Sequence, residues 1–470
     1  MKKSVRRILI LNLSILIIII STVSTAVNVE NIKLETKEAS VYKLLIITPQ
    51  EYAKILQPLV EHKNSVGVST KLVTLNEVYD RMFWYGRDEP EKIKYFIKNA
   101  VEQWGIKYVM LVGDYKKIPV RYVYNADNNT FFPEPRFISE LYYADIYDKN
   151  RSFSSWDTNN NGRYGEWFGE EAEDKNIDLY PDVYVGRLAC RNTHEVKTLV
   201  NKIITYETKT HGSEWFHRFV VIAGDTYPAS LNPNWTGYEG EENTVKAIQN
   251  MTGFEVIKLW TSDGTFKGRK DVVKALNFGC GFVYFDGHGS PMSWATHPPN
   301  DADTWVRGLE TYSMWRLHNG YKLPVCIVSG CHNSEFDVTP LNLLDHPKES
   351  LNLRFDFIPE CWSWKLVSKP FGGAIATIGC TGLGMTKEDK QSFEGASDYL
   401  DPRFFYQYGT NHTNILGEVW GKAITDYLNK YPINWNTPAA GDSAIDAKTV
   451  QQWVLLGDPS LKIGGYEKTQ

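Results

Sequence analysis

Two residues with complementary chemistry, His288 and Cys331, each stand at the abrupt end of a short apolar run and are set among small residues. The first run, Gly281-Phe-Val-Tyr-Phe285, breaks at Asp286-Gly287-His288-Gly289-Ser290; the second, Leu323-Pro-Val-Cys-Ile-Val328, breaks at Ser329-Gly330-Cys331-His332-Asn333. A thiol is a weak nucleophile until it loses its proton, and an imidazole can accept that proton and return it to a leaving group. The pair therefore suits acyl transfer through a thioester. Glycines beside both residues let a substrate backbone approach closely, and amides left free at strand ends can face a developing oxyanion. Taken singly, each side chain reads as readily as core, since free cysteine is commonly a small buried hydrophobe. Placement at two strand ends favours chemistry.

The elements that must position them are strands of a parallel sheet. Short apolar runs bounded by glycine read as buried strands, and open α/β sheets hold ligands at the carboxyl ends of their strands. From Tyr42 the pattern alternates: strands at 43–48, 70–75, 108–112 and 183–188, with a helix opened by Pro90 and closed by Gly105 whose apolar residues cover one face. A second α/β unit begins near Trp215, with strands at 219–223, 256–260, 282–285, 325–328 and 374–378 alternating with helical patterns. Such alternation implies parallel sheets covered by helices. A chain of 470 residues is also too long for one ordinary core.

At the His288 and Cys331 turns the chain resembles the gingipain family of cysteine peptidases. The likeness is carried by His288-Gly289-Ser290 with Trp294, Thr296 and His297 after it, and by Cys331 with Asn333 and Phe336. Pro181-Asp-Val-Tyr-Val-Gly-Arg-Leu188 and Trp453-Val-Leu-Leu-Gly-Asp-Pro-Ser-Leu461 agree, so it runs from about Tyr42 to Ile463. The resemblance implies two side-by-side caspase-like subdomains, each a mostly parallel sheet flanked by helices, here residues 42–211 and a catalytic 212–466. It implies hydrolysis of peptide bonds in protein or peptide substrates, with Cys331 as nucleophile and His288 as acid/base. The oxyanion would be held by the Gly289 and Cys331 amides.

A third group should orient the imidazole. Asp225 is the candidate, because Phe219-Val-Val-Ile-Ala-Gly-Asp225 is another apolar strand ending in a polar residue. Gingipains carry glutamate at the corresponding strand end, and a solvated loop aspartate is the alternative. Arginine-specific gingipains place an acid before the helix corresponding to 241–251; alignment puts Tyr238 there, with Glu239 next to it. Glu239 either holds a basic P1 side chain or is one of several solvated acids, so the residue cleaved after stays open.

The remaining features bound the setting. A net charge of -5 with dispersed Lys and Arg leaves no basic footprint for nucleic acid. Residues 1–26 have the make-up of a signal peptide, with Lys2, Lys3, Arg6 and Arg7 before an apolar run and Ser24-Thr-Ala26 as cleavage site. The run is short for a span of about 20 residues, so cleavage is expected over retention as an anchor, which would be the one route to a membrane. Residues 27–41 read as a linker, and the expected location is secreted or cell surface. Six cysteines show no metal or disulfide spacing, and no cofactor is expected for catalysis. Asp157, Asn159 and Asn161, with Gly162 and Glu166, have oxygen ligands spaced for a structural calcium loop. Phe168 at its twelfth position excludes an EF-hand, and a plain Asn/Gly turn is the competing reading. Two alternatives to a peptidase share the fold: a surface binding or assembly protein, and a transpeptidase.

Overall fold

The computed structural model describes residues 41–125, 134–228, 235–345, 347–386 and 394–467. The expected signal peptide and nearly all of the linker lie outside the described residues. Fifteen strands occur among those described: β1 Leu44–Thr48, β2 Thr70–Thr74, β3 Tyr108–Val112, β4 Arg121–Val123, β5 Phe137–Ser139, β6 Tyr184–Leu188, β7 Arg218–Ala223 and β8 Glu255–Trp260. They continue with β9 Phe282–Asp286, β10 His288–Gly289, β11 Ser293–Thr296, β12 Val306–Glu310, β13 Val325–Ser329, β14 Ala376–Cys380 and β15 Trp453–Leu456.

Ten of them form one continuous sheet in the order β2-β1-β3-β6-β15-β14-β13-β9-β7-β8. Every pairing is parallel except β14 with β15, so the sheet is two parallel halves, of opposite direction, joined at that seam. The two subsheets expected from the sequence are these halves. The last strand, β15, is the seam's near side: it runs parallel to β6 through Leu456↔Arg187 and closes the first half with residues from the far end of the chain.

Both faces of the second half are buried, which explains its unbroken apolar runs. Along β7, Phe219 and Val221 join one core cluster while Val220 and Ile222 join another on the opposite face. The same alternation holds on β9, with Phe282 and Tyr284 against Val283 and Phe285, and on β13, with Val325 and Ile327 against Cys326 and Val328.

Local chemistry sets the element ends. The helix Glu89–Trp104 starts where Asp88 accepts from the Glu91 amide and stops at Gly105 with φ 67°, a left-handed conformation that glycine adopts without a Cβ clash. The strand expected over 70–75 ends one residue sooner, because Thr74 and Glu77 form a reciprocal capping box that turns Leu75 into a helix. The strand expected over 374–378 lies two residues further on, at 376–380.

Two stretches outside the active-site turns place buried ion pairs in the first half of the sheet. Arg187 is buried and pairs with Glu140 at 2.9 Å while donating to the Gly113 and Ile118 carbonyls. Asp458 is buried against Lys63 at 2.7 Å, and Glu207 accepts from the same ammonium at 2.8 Å. Removing one member of such a pair leaves an uncompensated buried charge, a loss of about 3–5 kcal/mol.

Candidate active site

β9, β13 and β7 are parallel neighbours, and Asp286 at the end of β9 is in register with Ser329 on β13 and Ala223 on β7. The turns after these strands therefore open on one edge. His288, Gly289, Gly330 and Cys331 line a single cleft there. Both reactive residues are half-buried, and the other five cysteines are fully buried.

After β9 the chain folds into the antiparallel hairpin β10-β11-β12, which carries His288 on its first strand. Asn333 ties this hairpin to the cysteine turn: its buried Nδ2 donates to the Ser290 carbonyl at 2.7 Å and the Ser293 carbonyl at 3.0 Å. The glycines are required by this closeness. A Cβ on either Gly289 or Gly330 would collide with Asn333 Oδ1, and on Gly330 it would also lie 3.1 Å from the Gly289 nitrogen. The Gly289 amide thus faces the Cys331 turn. Pairing agrees, because Ser290 and Ser293 exchange both backbone bonds. Alternation then leaves Gly289 at a position whose N–H points away from β11.

The imidazole is held by backbone. Its Nε2 lies 2.7 Å from the Thr226 carbonyl oxygen, which can only accept. Nε2 therefore carries the proton, and Nδ1 is left with the lone pair of a base. Burial pushes His288 down to about 4, with His297 adding to the shift against the Thr226 bond. Burial likewise raises the Cys331 thiol, against a 3.8 Å contact with the Gly384 carbonyl. Burial thus favours the uncharged form of both the thiol and the imidazole.

The two acids singled out from sequence meet each other, and neither is bonded to His288. Asp225 Oδ2 accepts from the Asn300 amide at 2.6 Å, and the Asp225 backbone pairs with His297. Glu239 Oε1 accepts from the Thr236 and Gly237 amides, closing its own loop. Asp225 Oδ1 and Glu239 Oε2 have no other partner. Burial, with Glu239 adding, raises Asp225 to about 7. Tyr238 is exposed, and neither it nor Glu239 lines the cleft.

Acids that sequence reasoning missed do line it. Asp286 is buried at the floor, bonded by Tyr284 and Asn243, and burial raises it to about 6. Asp398, on the helix Ser397–Phe405, is bonded by Thr386, and burial with the Asp286 charge raises it to about 7. Behind the nucleophile, Glu134 joins His332 at 3.1 Å and Lys448 at 2.8 Å and accepts from the Leu383 amide. His332 itself sits at φ 59°, in the left-handed region.

The expected calcium ligands share one loop, and the cations on them are protein side chains. Asp157 pairs with Arg87 at 2.7 Å and accepts from the Asn161 and Gly162 amides; Glu166 pairs with Arg163 at 2.8 Å. Asn159 Oδ1 accepts from the Asn161 amide.

The model of peptidase family C25 matches residues 37–464 of this chain. Gingipain R2 of Porphyromonas gingivalis is 23% identical over 429 residues, 90% of this chain and 46% of its own length, and the Lys-gingipain HG66 of the same organism is 25% identical over 170 residues, 34% of this chain and 8% of its own. The chain thus spans about half the length of the first of these relatives. In structure it is similar to the Arg-specific cysteine proteinase gingipain R, with TM-score 0.60 at 20% identity over 91% of this chain and 79% of that one. The complex of Porphyromonas gingivalis RgpB pro- and mature domains matches with the same TM-score and identity over 90% of this chain and 79% of that one. By the match over nearly its whole described length, the chain belongs to peptidase family C25.

Proposed function

We propose that the protein is an exported cysteine endopeptidase working through Cys331 and His288. The observation that carries this reading is the convergence of both side chains on one cleft, with His288 Nε2 committed to the Thr226 carbonyl so that Nδ1 is the base. Nδ1 takes the Cys331 proton as sulfur attacks the substrate carbonyl, and the resulting oxyanion accepts from the Gly289 and Cys331 amides. The imidazolium then protonates the departing amine, leaving a thioester. Water, deprotonated by the same nitrogen, releases the acid. Asp225 acts as a positioning residue, fixing the strand end from which the Thr226 carbonyl reaches the imidazole. A binding protein on the same fold would not need the pair, and transfer to an amine would use it unchanged; mass analysis of products with and without an added amine separates the three. Export rests on the make-up of residues 1–26; among the described residues, no helix is long and apolar enough to cross a membrane.

One structural neighbour is named an Arg-specific cysteine proteinase and one relative a Lys-gingipain, and the acids at the floor of this cleft suit a basic P1 side chain. A P1 cation would favour the ionised form of Asp398, which burial opposes. Asp398→Asn is expected to lower kcat/KM for arginine or lysine at P1 by about tenfold or more while sparing neutral P1 residues. A P1-scanning peptide library checks it, and a uniform loss across all P1 residues would remove Asp398 from specificity.

The calcium reading of the Asp157 loop has a separate test. A metal held by Asp157, Asn159, Asn161 and Glu166 would displace Arg87 and Arg163, and binding only the native state would stabilise it by RT ln(1 + [L]/Kd). The expected result is a melting temperature that rises with added calcium and no longer does so in Asp157→Ala. Superimposed curves in chelator and calcium would leave the loop held by Arg87 and Arg163.

A further inference from the structure

The hairpin β10-β11-β12 has an inner and an outer face. Trp294 and Leu309, paired across β11 and β12, are fully buried, and Trp294 packs on Phe266 and Phe285. A bulge at Gly308, which itself packs against Trp294, offsets the next pairing, and the outward row His288↔Ala295↔Arg307 lines one groove. Residues directly opposite on neighbouring strands share a face at a spacing of about 4.8 Å, so His288 and Arg307 stand roughly 10 Å apart on that face. Ala295 between them leaves a trough.

The trough is walled by aromatic rings and floored by a spent acid. Trp305 is 51% exposed, its ring 5.3 Å from His288 and 3.9 Å from His297, and Tyr312 is 59% exposed. Glu310 is buried and already bonded to Arg269 at 3.0 Å and to the Tyr312 hydroxyl at 3.1 Å. Arg307 is exposed and has no ion pair or side-chain hydrogen bond among the described residues. The trough touches His288 but not Cys331.

Reaction chemistry orients it. The acyl half of a substrate is held at Cys331, whereas the departing amine must meet the imidazole that protonates it. The leaving peptide therefore passes over His288. We propose, resting on the peptidase reading above, that this trough is the leaving-group subsite: Trp305 and Tyr312 take an apolar side chain next to the scissile bond, and Arg307 takes a carboxylate beyond it. At about 3.3 Å per extended residue, a 10 Å separation puts that carboxylate within about three residues of the bond. It is supplied by an Asp or Glu side chain or by the end of the chain.

The test uses the full-length protein and its Arg307→Gln variant on peptides sharing one P1 residue, arginine or lysine in parallel sets together with the residue cleaved fastest in the P1-scanning library. Three leaving segments are compared: neutral and amidated, amidated with one Asp or Glu in the first three positions, and neutral with a free C-terminus. An aminomethylcoumarin amide, which has no leaving peptide, is the control. Arg307→Gln is expected to lower kcat/KM about tenfold for carboxylate-bearing segments, and to leave the neutral segment and the coumarin amide unchanged. Arg307→Glu should turn the preference towards lysine. Dependence in the amidated acidic set assigns a side-chain carboxylate, and dependence only with a free end assigns the chain terminus; either supports the subsite. Equal rates for all segments in both proteins, with the coumarin amide still cleaved, overturn it. No turnover of any substrate, the coumarin amide included, overturns the peptidase reading and the subsite with it.

Discussion

Cys331→Ala is expected to abolish peptide cleavage, with a loss of at least about a thousandfold in kcat because a thioester cannot form without the sulfur. Cys190→Ala should keep activity, since Cys190 is buried away from the cleft. Accessibility makes a second readout: Cys331 is the cysteine with solvent exposure among six, so an alkylator should label it first. Labelling should nonetheless be slow at neutral pH, because burial raises the thiol and the thiolate is the reacting form. Peptide mapping after partial alkylation checks the site, and undiminished turnover by Cys331→Ala would end the assignment.

His288→Ala should be nearly as damaging, and the wild-type pH profile should carry the signature of a depressed imidazole. A base must be unprotonated to accept the thiol proton. With His288 pushed down to about 4, against an ordinary 6.5, that form persists as the pH falls. The acid limb of kcat/KM, which reports the free enzyme, is therefore expected near 4, with activity retained at about pH 5 where an ordinary imidazole would be mostly charged. An acid limb at 6.5 would mean that the ring is solvated in the working enzyme. Asp225→Asn should lower kcat more than it changes KM, and by less than His288→Ala, since it acts through the Thr226 carbonyl.

The reactive pair was legible because its signal is local. A strand that must be buried on both faces is written as a continuous apolar run, so its break marks the edge of the sheet, and His288 and Cys331 stand at two such breaks. Gly289 and Gly330 were visible for the same reason, as residues where a side chain would obstruct close approach. The motifs around Arg187 and Asp458 were visible as strings, but their work as buried ion-pair partners was not.

What sequence alone determined, then, is the α/β alternation, the approximate extent of the strands and which histidine and cysteine stand just beyond two of them. Tertiary structure decided the partners. The imidazole is oriented by a backbone carbonyl, that of Thr226, and any residue type supplies a carbonyl, so no sequence pattern could have marked it. Asp225 and Glu239 each read as site acids, yet the fold places them against one another because α/β packing brings the end of β7 onto the start of the helix Glu239–Ile248. Asp398 comes to the cleft floor from more than a hundred residues beyond the β9 strand it faces, and Arg307 shares a row with His288 only through the register of a hairpin. Burial, register and long-range contact are properties of the assembled chain, and they determine which of its many polar side chains meet the substrate.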